Sequence, residues 1–201
     1  MDREEAVNKL KRLEGVDLVP LAQTNYVTIW KAGKINKGWA GHALERYLGL
    51  PINSAQAPNF GTWELKIVPL KKLKDGNLAV KETMAITMID PIHVARTPFE
   101  ESHLLIKLKK AVVCTRIFES KDEKSSILYK VATFDLTDPK IYDQVKMDYE
   151  ETRKTIITRG FHQLTGKMGV LVQPRTKGPG HGSTSRAFYA RKKFVELILE
   201  L

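Results

Sequence analysis

The sequence predicts a mixed α/β fold with a mainly antiparallel sheet flanked by helices. Three observations carry this. Trp63, Leu65 and Ile67 alternate with Glu64 and Lys66, and further apolar runs lie at 111–119 and 127–134, as expected of strands. Ala6, Leu10 and Leu13 instead share one face of a helix over 2–13, and Thr137-Asp138-Pro139 has the form of a helix start. The Asp75-Gly76 turn and the polar loop 120–126 each join neighbouring strands, the short connections that antiparallel pairs allow.

The elements follow in order. Gly15 ends the first helix, and 18–32 is mixed in pattern, with Ile29 and Trp30 expected to pack. Ala40, Leu44, Tyr47 and Leu48 form the apolar stripe of a second helix, stopped by Gly49, with Glu45 at the stripe's margin. The loop 50–58 leads to the strand at 63–67. Residues 81–90 return as a strand ended by Pro91, and 102–110 forms a short basic helix or turn carrying Lys107, Lys109 and Lys110. A long helix spans 138–159 with Gly160 as its stop, and a strand is expected at 168–173. Residues 174–185, rich in Gly, Pro, Thr and Ser, read as an ordered binding loop, because they sit between two expected strands. A last helix begins near Arg191.

A chain of 201 residues makes one large domain or two tightly packed lobes. Its 33 basic and 23 acidic residues give a net charge of +10, an electrostatic reason to expect a polyanionic partner. Charge alone leaves DNA, RNA and an anionic membrane open. A membrane fits least, since no apolar run approaches the roughly 18 residues of a spanning helix. The start, Met1-Asp2-Arg3-Glu4-Glu5, also lacks the form of a signal peptide. Single-stranded RNA is disfavoured by the lack of clustered aromatics for base stacking. The one cysteine, Cys114, lies in an apolar run and reads as a core residue in a reducing cytoplasm, and no zinc-ligand spacing is present.

Glu64 and Lys66 share one strand face, because successive side chains point to opposite sides. Other acidic-x-Lys pairs, such as Glu119/Lys121 and Asp138/Lys140, sit in polar turn-like sequence and read as solvated charge. Only Glu64 and Lys66 are embedded among apolar residues. A carboxylate beside an ammonium, at the end of an apolar strand after a Pro-containing loop, suits metal-dependent phosphodiester hydrolysis. The carboxylate would hold a divalent cation and the lysine would orient the attacking water. The alternative is an ordinary surface ion pair.

Several segments together resemble the MutH family of DNA endonucleases, which includes a mismatch-repair nicking enzyme and related type II restriction enzymes. Lys37-Gly38-Trp39-Ala40-Gly41 with Leu44-Glu45-Arg46-Tyr47-Leu48-Gly49 is similar to that family's KGW-x-G-x-x-LE-x-x-LG helix. Glu64-Leu65-Lys66 resembles its ELK strand, Ser102-His103 through Lys107-Leu108-Lys109 its SH-x-x-x-KLK segment, and Arg186-Ala187-Phe188-Tyr189 its RGFY motif. The matches run in family order from Lys37 to Leu201.

The resemblance implies a PD-(D/E)xK nuclease core in which two lobes, roughly 1–100 catalytic and 101–201 recognition, form a cleft for double-stranded DNA. It implies Mg²⁺ held by Glu64, residue 59 and Glu45, with Lys66 positioning the nucleophile. Lys37 and Lys107 would meet phosphates. Lys81, Glu82 and Thr83, with the 173–185 loop, would enter the grooves. Arg175, Lys177 or Arg186 would pair with guanine, Gln173 with adenine, and Tyr189 would lie near a target adenine. Position 59 departs from the family, which has aspartate there, and the Asn59-to-Glu64 spacing is closer to the distantly related MvaI-type enzymes. Gly180-His181-Gly182 also resembles a His-Gly of the MvaI-type loop. GATC is the first expectation for the site read, and a CCNGG-type site the second. Asn59 makes the chain an inactive Asp-to-Asn form, a DNA-binding module that does not cut, or an enzyme whose active site tolerates asparagine. Monomer and homodimer both remain open.

Overall fold

The computed structural model describes residues 1–50, 58–178 and 184–201. Helix α1 (Arg3–Lys11) starts where the Asp2 carboxylate accepts the Glu4 N–H, and Ala6 and Leu10 are buried on it. Helix α2 (Leu18–Thr24), capped by Asp17, occupies part of the stretch whose sequence pattern was mixed. A minimal hairpin, β1 (Trp30–Lys31) and β2 (Lys34–Ile35), leads to α3 (Trp39–Tyr47), which buries Trp39, Ala40, Ala43 and Leu44. Gly49 follows at φ +87°, a left-handed conformation suited to a helix stop.

Strand β3 (Glu64–Lys72) turns through Asp75-Gly76 into β4 (Leu78–Val80), as expected, with the Asp75 carboxylate accepting the Asn77 N–H at 3.0 Å. Strand β5 (Met84–Met88) is followed by α4 (Pro91–Arg96). Pro91 does more than end the strand. It occupies the first turn of α4, where its missing N–H costs nothing, and Asp90 caps that helix. Helix α5 (His103–Leu108) is capped by the Ser102 hydroxyl. Strands β6 (Lys110–Ile117) and β7 (Leu128–Asp135) and helix α6 (Pro139–Arg159) match the sequence expectation, as do β9 (Arg186–Ala190) and α7 (Lys192–Leu199). Strand β8 (Val172–Thr176) lies further along the chain than expected, so Pro174, Arg175 and Thr176 belong to a strand and not to a loop.

The strands form a sheet in the order β4-β3-β6-β7 and a second in the order β5-β9-β8. Among the described residues every named pairing is antiparallel except β3 with β6, which run parallel from Glu64 beside Ala111 to Leu70 beside Ile117. The chain between them is long enough to make that crossover.

Both faces of the larger sheet are covered. Leu65, Val112 and Cys114 pack with α1, α2 and α3 on one side. Val68, Leu70 and Val113 join the core of α5, α6, α7 and the smaller sheet on the other. Halves of the chain interleave: β5 pairs with β9, and β6 and β7 complete the sheet of β3. Cys114 is buried as expected, and burial raises its thiol pKa. No helix among the described residues is long and apolar enough to cross a membrane.

Leu44 is fully buried on α3 between that helix and the sheet. Leu44→Ala should lower the unfolding free energy by about 2–5 kcal/mol in urea titration, the range for a buried leucine whose cavity cannot collapse.

Candidate active site

Strand β4 pairs with β3 only over Leu70–Lys72, so the start of β3 has β6 on one side and no β4 on the other. Glu64 and Lys66 lie on this part of β3, in phase with buried Val68 and Leu70. Glu64 is therefore only 1% exposed. Its neighbours account for that. Lys66 Nζ donates to Glu64 Oε1 at 2.7 Å, Lys107 Nζ approaches the same oxygen at 3.3 Å, and the Asn59 backbone N–H donates to Oε2 at 2.9 Å. A buried carboxylate is tolerable when charge and hydrogen bonds compensate it in this way. Lys66 also donates to the Ile86 carbonyl of β5 at 3.2 Å, which ties the smaller sheet to the site.

Asn59 is held by its own turn. Gly61 takes φ +76°, its N–H bonds the Pro58 carbonyl, and the Phe60 ring stacks on Trp63 with centroids 4.0 Å apart. The turn directs the Asn59 side chain to α3, where Nδ2 donates to Glu45 Oε1 at 2.6 Å. Asn59 Oδ1 is buried and finds no hydrogen-bond partner among the described residues.

Electrostatics follow from this packing. Burial, reinforced by the nearby Glu64 carboxylate, raises the Glu45 pKa, while Lys66 and Lys107 oppose the shift. Burial lowers the Lys66 pKa, against the pull of Glu64, and Lys107 and Lys177 add to the lowering. Two carboxylates and an orphaned amide oxygen form a set of hard oxygen donors, the chemistry that Mg²⁺ and related cations take. The residues present thus fit a divalent cation held by Glu45, Asn59 and Glu64.

Lys66 also lines a cleft of about 1040 Å³. Lys37 at the start of α3, Glu82 and Thr83 between β4 and β5, Arg175 and Lys177 at the end of β8, and Tyr189 on β9 share its walls. The structure thus gathers seven of the sequence-selected residues. Arg175 donates to Thr83 Oγ1 at 2.9 Å and lies over the Tyr189 ring, 5.8 Å from its centroid. Tyr189 sits between Ala85 and Gln173 in the sheet, and burial raises its pKa.

Other selected residues are placed elsewhere. Gln173 is 5% exposed and buried in β8, Lys81 lies over the Phe118 ring at 3.9 Å, and Arg186 lies over Phe161 at 5.9 Å. None of the three lines the cleft. His181 lies outside the described residues. Sequence reasoning missed Lys34, which lies in the cleft wall. It also missed Asp148, although Val145, Asp148 and Thr152 recur at helical spacing on the buried face of α6.

A mixed α/β core thus brings Glu45, residue 59, Glu64 and Lys66 together beside a cationic cleft, the arrangement expected of a nuclease. Residues 48–154 match the family model described as DNA mismatch repair enzyme MutH, just over half the chain. The chain is 27% identical to a DNA mismatch repair protein MutH of Haemophilus ducreyi, over 98% of this chain and 92% of the relative. It is 24% identical to a protein of the same name from Klebsiella pneumoniae, over 98% and 90%. It is 26% identical to the type II restriction enzyme Sau3AI of Staphylococcus aureus, over 84% of this chain and 35% of that longer protein. The chain belongs to the MutH family, and with it to the site-specific DNA endonucleases of the mismatch-repair and restriction type.

The raised Glu45 pKa has a measurable sign. A carboxyl whose folded pKa is raised favours folding below its unfolded value, and that contribution is lost as pH rises through the raised one. Ionised Glu45 is therefore held at a cost at neutral pH. Without added divalent cation, Glu45→Gln should raise the melting temperature at pH 7 by a few degrees, and the gain should vanish below about pH 4. Thermal melts of both proteins across pH 3.5–8 check this.

Proposed function

We propose that this chain recognises a short site in double-stranded DNA, GATC before a CCNGG-type sequence, in the cytoplasm, and that its active site is built for Mg²⁺-dependent hydrolysis of one phosphodiester there. The observation that carries the reading is that Asn59 links Glu45 and Glu64 through its two N–H groups and keeps a buried, unpartnered oxygen, with Lys66 on Glu64 and at the cleft wall. The likeness to MutH proteins supports DNA as substrate, and the likeness to Sau3AI supports a restriction role.

Glu45, Glu64 and Asn59 Oδ1 would hold the cation. It would polarise the scissile phosphate and neutralise its charge. Lys66 Nζ, anchored by Glu64 and the Ile86 carbonyl, orients water for in-line attack and then donates to the phosphate as negative charge builds there. Its lowered pKa makes it a readier proton donor than a solvated lysine. Lys107 adds positive charge beside Glu64, and Lys37 and Lys177 meet the flanking phosphates. The sheet of β3 makes the cut, while β8, β9 and the Glu82-Thr83 turn read the bases, with Arg175 and Tyr189 as the chief readers.

A second reading has a specific observation in its favour: position 59 carries no charge. The Asn59 side-chain amide already donates to Glu45 and its backbone N–H to Glu64, holding the carboxylates together without a cation. Loss of one carboxylate weakens cation binding and leaves a protein that binds its site uncut. Asn59→Asp separates the two. Aspartate there would face Glu45 across a contact that is now 2.6 Å, so without divalent cation the variant should melt lower than the parent. Added Mg²⁺ should reverse that loss, and the variant should nick GATC-bearing plasmid. An Asn59→Asp protein that takes up Mg²⁺ yet cuts no DNA would establish the non-cleaving module.

A further inference from the structure

The strand that carries Arg175, Thr176 and Lys177 into the cleft is preceded by a segment, 166–172, fixed by two side chains outside the cleft. Asp148 is 2% exposed on α6. Its Oδ1 accepts the Val170 N–H at 2.8 Å and its Oδ2 accepts the Leu171 and Val172 N–H groups, each at 2.7 Å. The Gln144 amide donates to Oδ1 at 2.9 Å. Arg191, the residue before α7, treats the carbonyls of the same segment in the same way. Its Nε donates to Gly169 O at 3.0 Å, and its Nη2 to Gly166 O at 3.0 Å and Met168 O at 2.9 Å. One carboxylate and one guanidinium thus take up six backbone groups over seven residues. Gly169 makes the fit possible: it has φ +71°, and a Cβ there would stand 1.8 Å from the Val172 carbonyl oxygen.

The segment also touches the residue that faces the bases. A Cβ on Gly166 would lie 3.3 Å from Arg175 Cγ and 3.6 Å from Gln173 Oε1, so the clamped backbone forms the wall against which the Arg175 stem rests. We propose that Asp148 and Arg191 are positioning residues for sequence discrimination: together they fix the height and register of β8 in the cleft, and through it the point at which Arg175 meets a base edge. This rests on the site-specific reading above. Charged hydrogen bonds suit the task, because a base contact is lost with small displacements while phosphate attraction tolerates them.

The test uses binding, so it does not depend on whether the chain cuts. Duplexes with a randomised central segment are enriched on the full chain. Discrimination is the ratio of Kd for the unselected pool to Kd for the enriched duplex, measured by fluorescence anisotropy. Asp148→Asn, Arg191→Lys and Gly169→Ala are compared with Val145→Ala, a core change on the same helix that leaves the clamp intact. Each clamp variant should lose about tenfold in discrimination, the effect of one mismatched base pair. Affinity for the unselected pool should stay within about twofold, since phosphate contacts carry it. If Asp148→Asn or Gly169→Ala does not fold, Arg191→Lys decides. Unchanged discrimination in the clamp variants that fold, or a loss no greater than that of Val145→Ala at equal loss of stability, overturns the inference alone. A parent chain that enriches no sequence overturns both it and the site-specific reading.

Discussion

The structure depends on how Glu64 is accommodated. A carboxylate almost wholly removed from water at the start of a central strand would be untenable without compensation. Compensation comes from three separated parts of the chain: Lys66 on the same strand, Lys107 on α5 and the backbone N–H of Asn59. Meeting that demand pulls α5 onto the sheet and folds the 58–63 turn back over the strand. It also leaves Lys66 tethered between Glu64 and the smaller sheet. The constraint that stabilises this corner is thus the one that assembles the chemistry.

Around that corner the charges are arranged in opposition. Glu45 is held above its ordinary pKa and Lys66 below its own, each mainly by burial. An added positive charge beside Glu45, or a negative one beside Lys66, relieves part of this imbalance. Asn59 sits at the centre of the arrangement. Its N–H groups satisfy both glutamates, while its carbonyl oxygen is left without a partner. The family membership supplies the class of chemistry, and residue 59 links the two glutamates at its centre.

Much of this was legible in the sequence, for identifiable reasons. Glu64 and Lys66 stood out because charges among apolar strand residues are unusual, and the Asp75-Gly76 hairpin and the Asp138-Pro139 helix start carry strong local signals. Local signals gave no access to pairings between distant segments. The parallel partnership of β3 and β6, and that of β5 with β9, are tertiary facts. Helix α2 was hidden because its seven residues include a proline and a short apolar face. Gln173 looked like a base reader from its place beside a Gly-rich loop, but it lies within β8, on the same face as Arg175, and the backbone at Gly166 lies against its side chain, which is buried. Lys81 and Arg186 each rest on a phenylalanine ring, an outcome that a charge count cannot anticipate.

The interleaved order of strands also bears on biosynthesis. Glu64 emerges from the ribosome before Lys107 and before β6, the parallel neighbour that fixes its strand. Strand β5 must wait longer still, for β9. Such long-range pairings close late. A nascent chain therefore carries Glu64 and Lys66 for a time without Lys107 and without the strand pairings that hold this corner together.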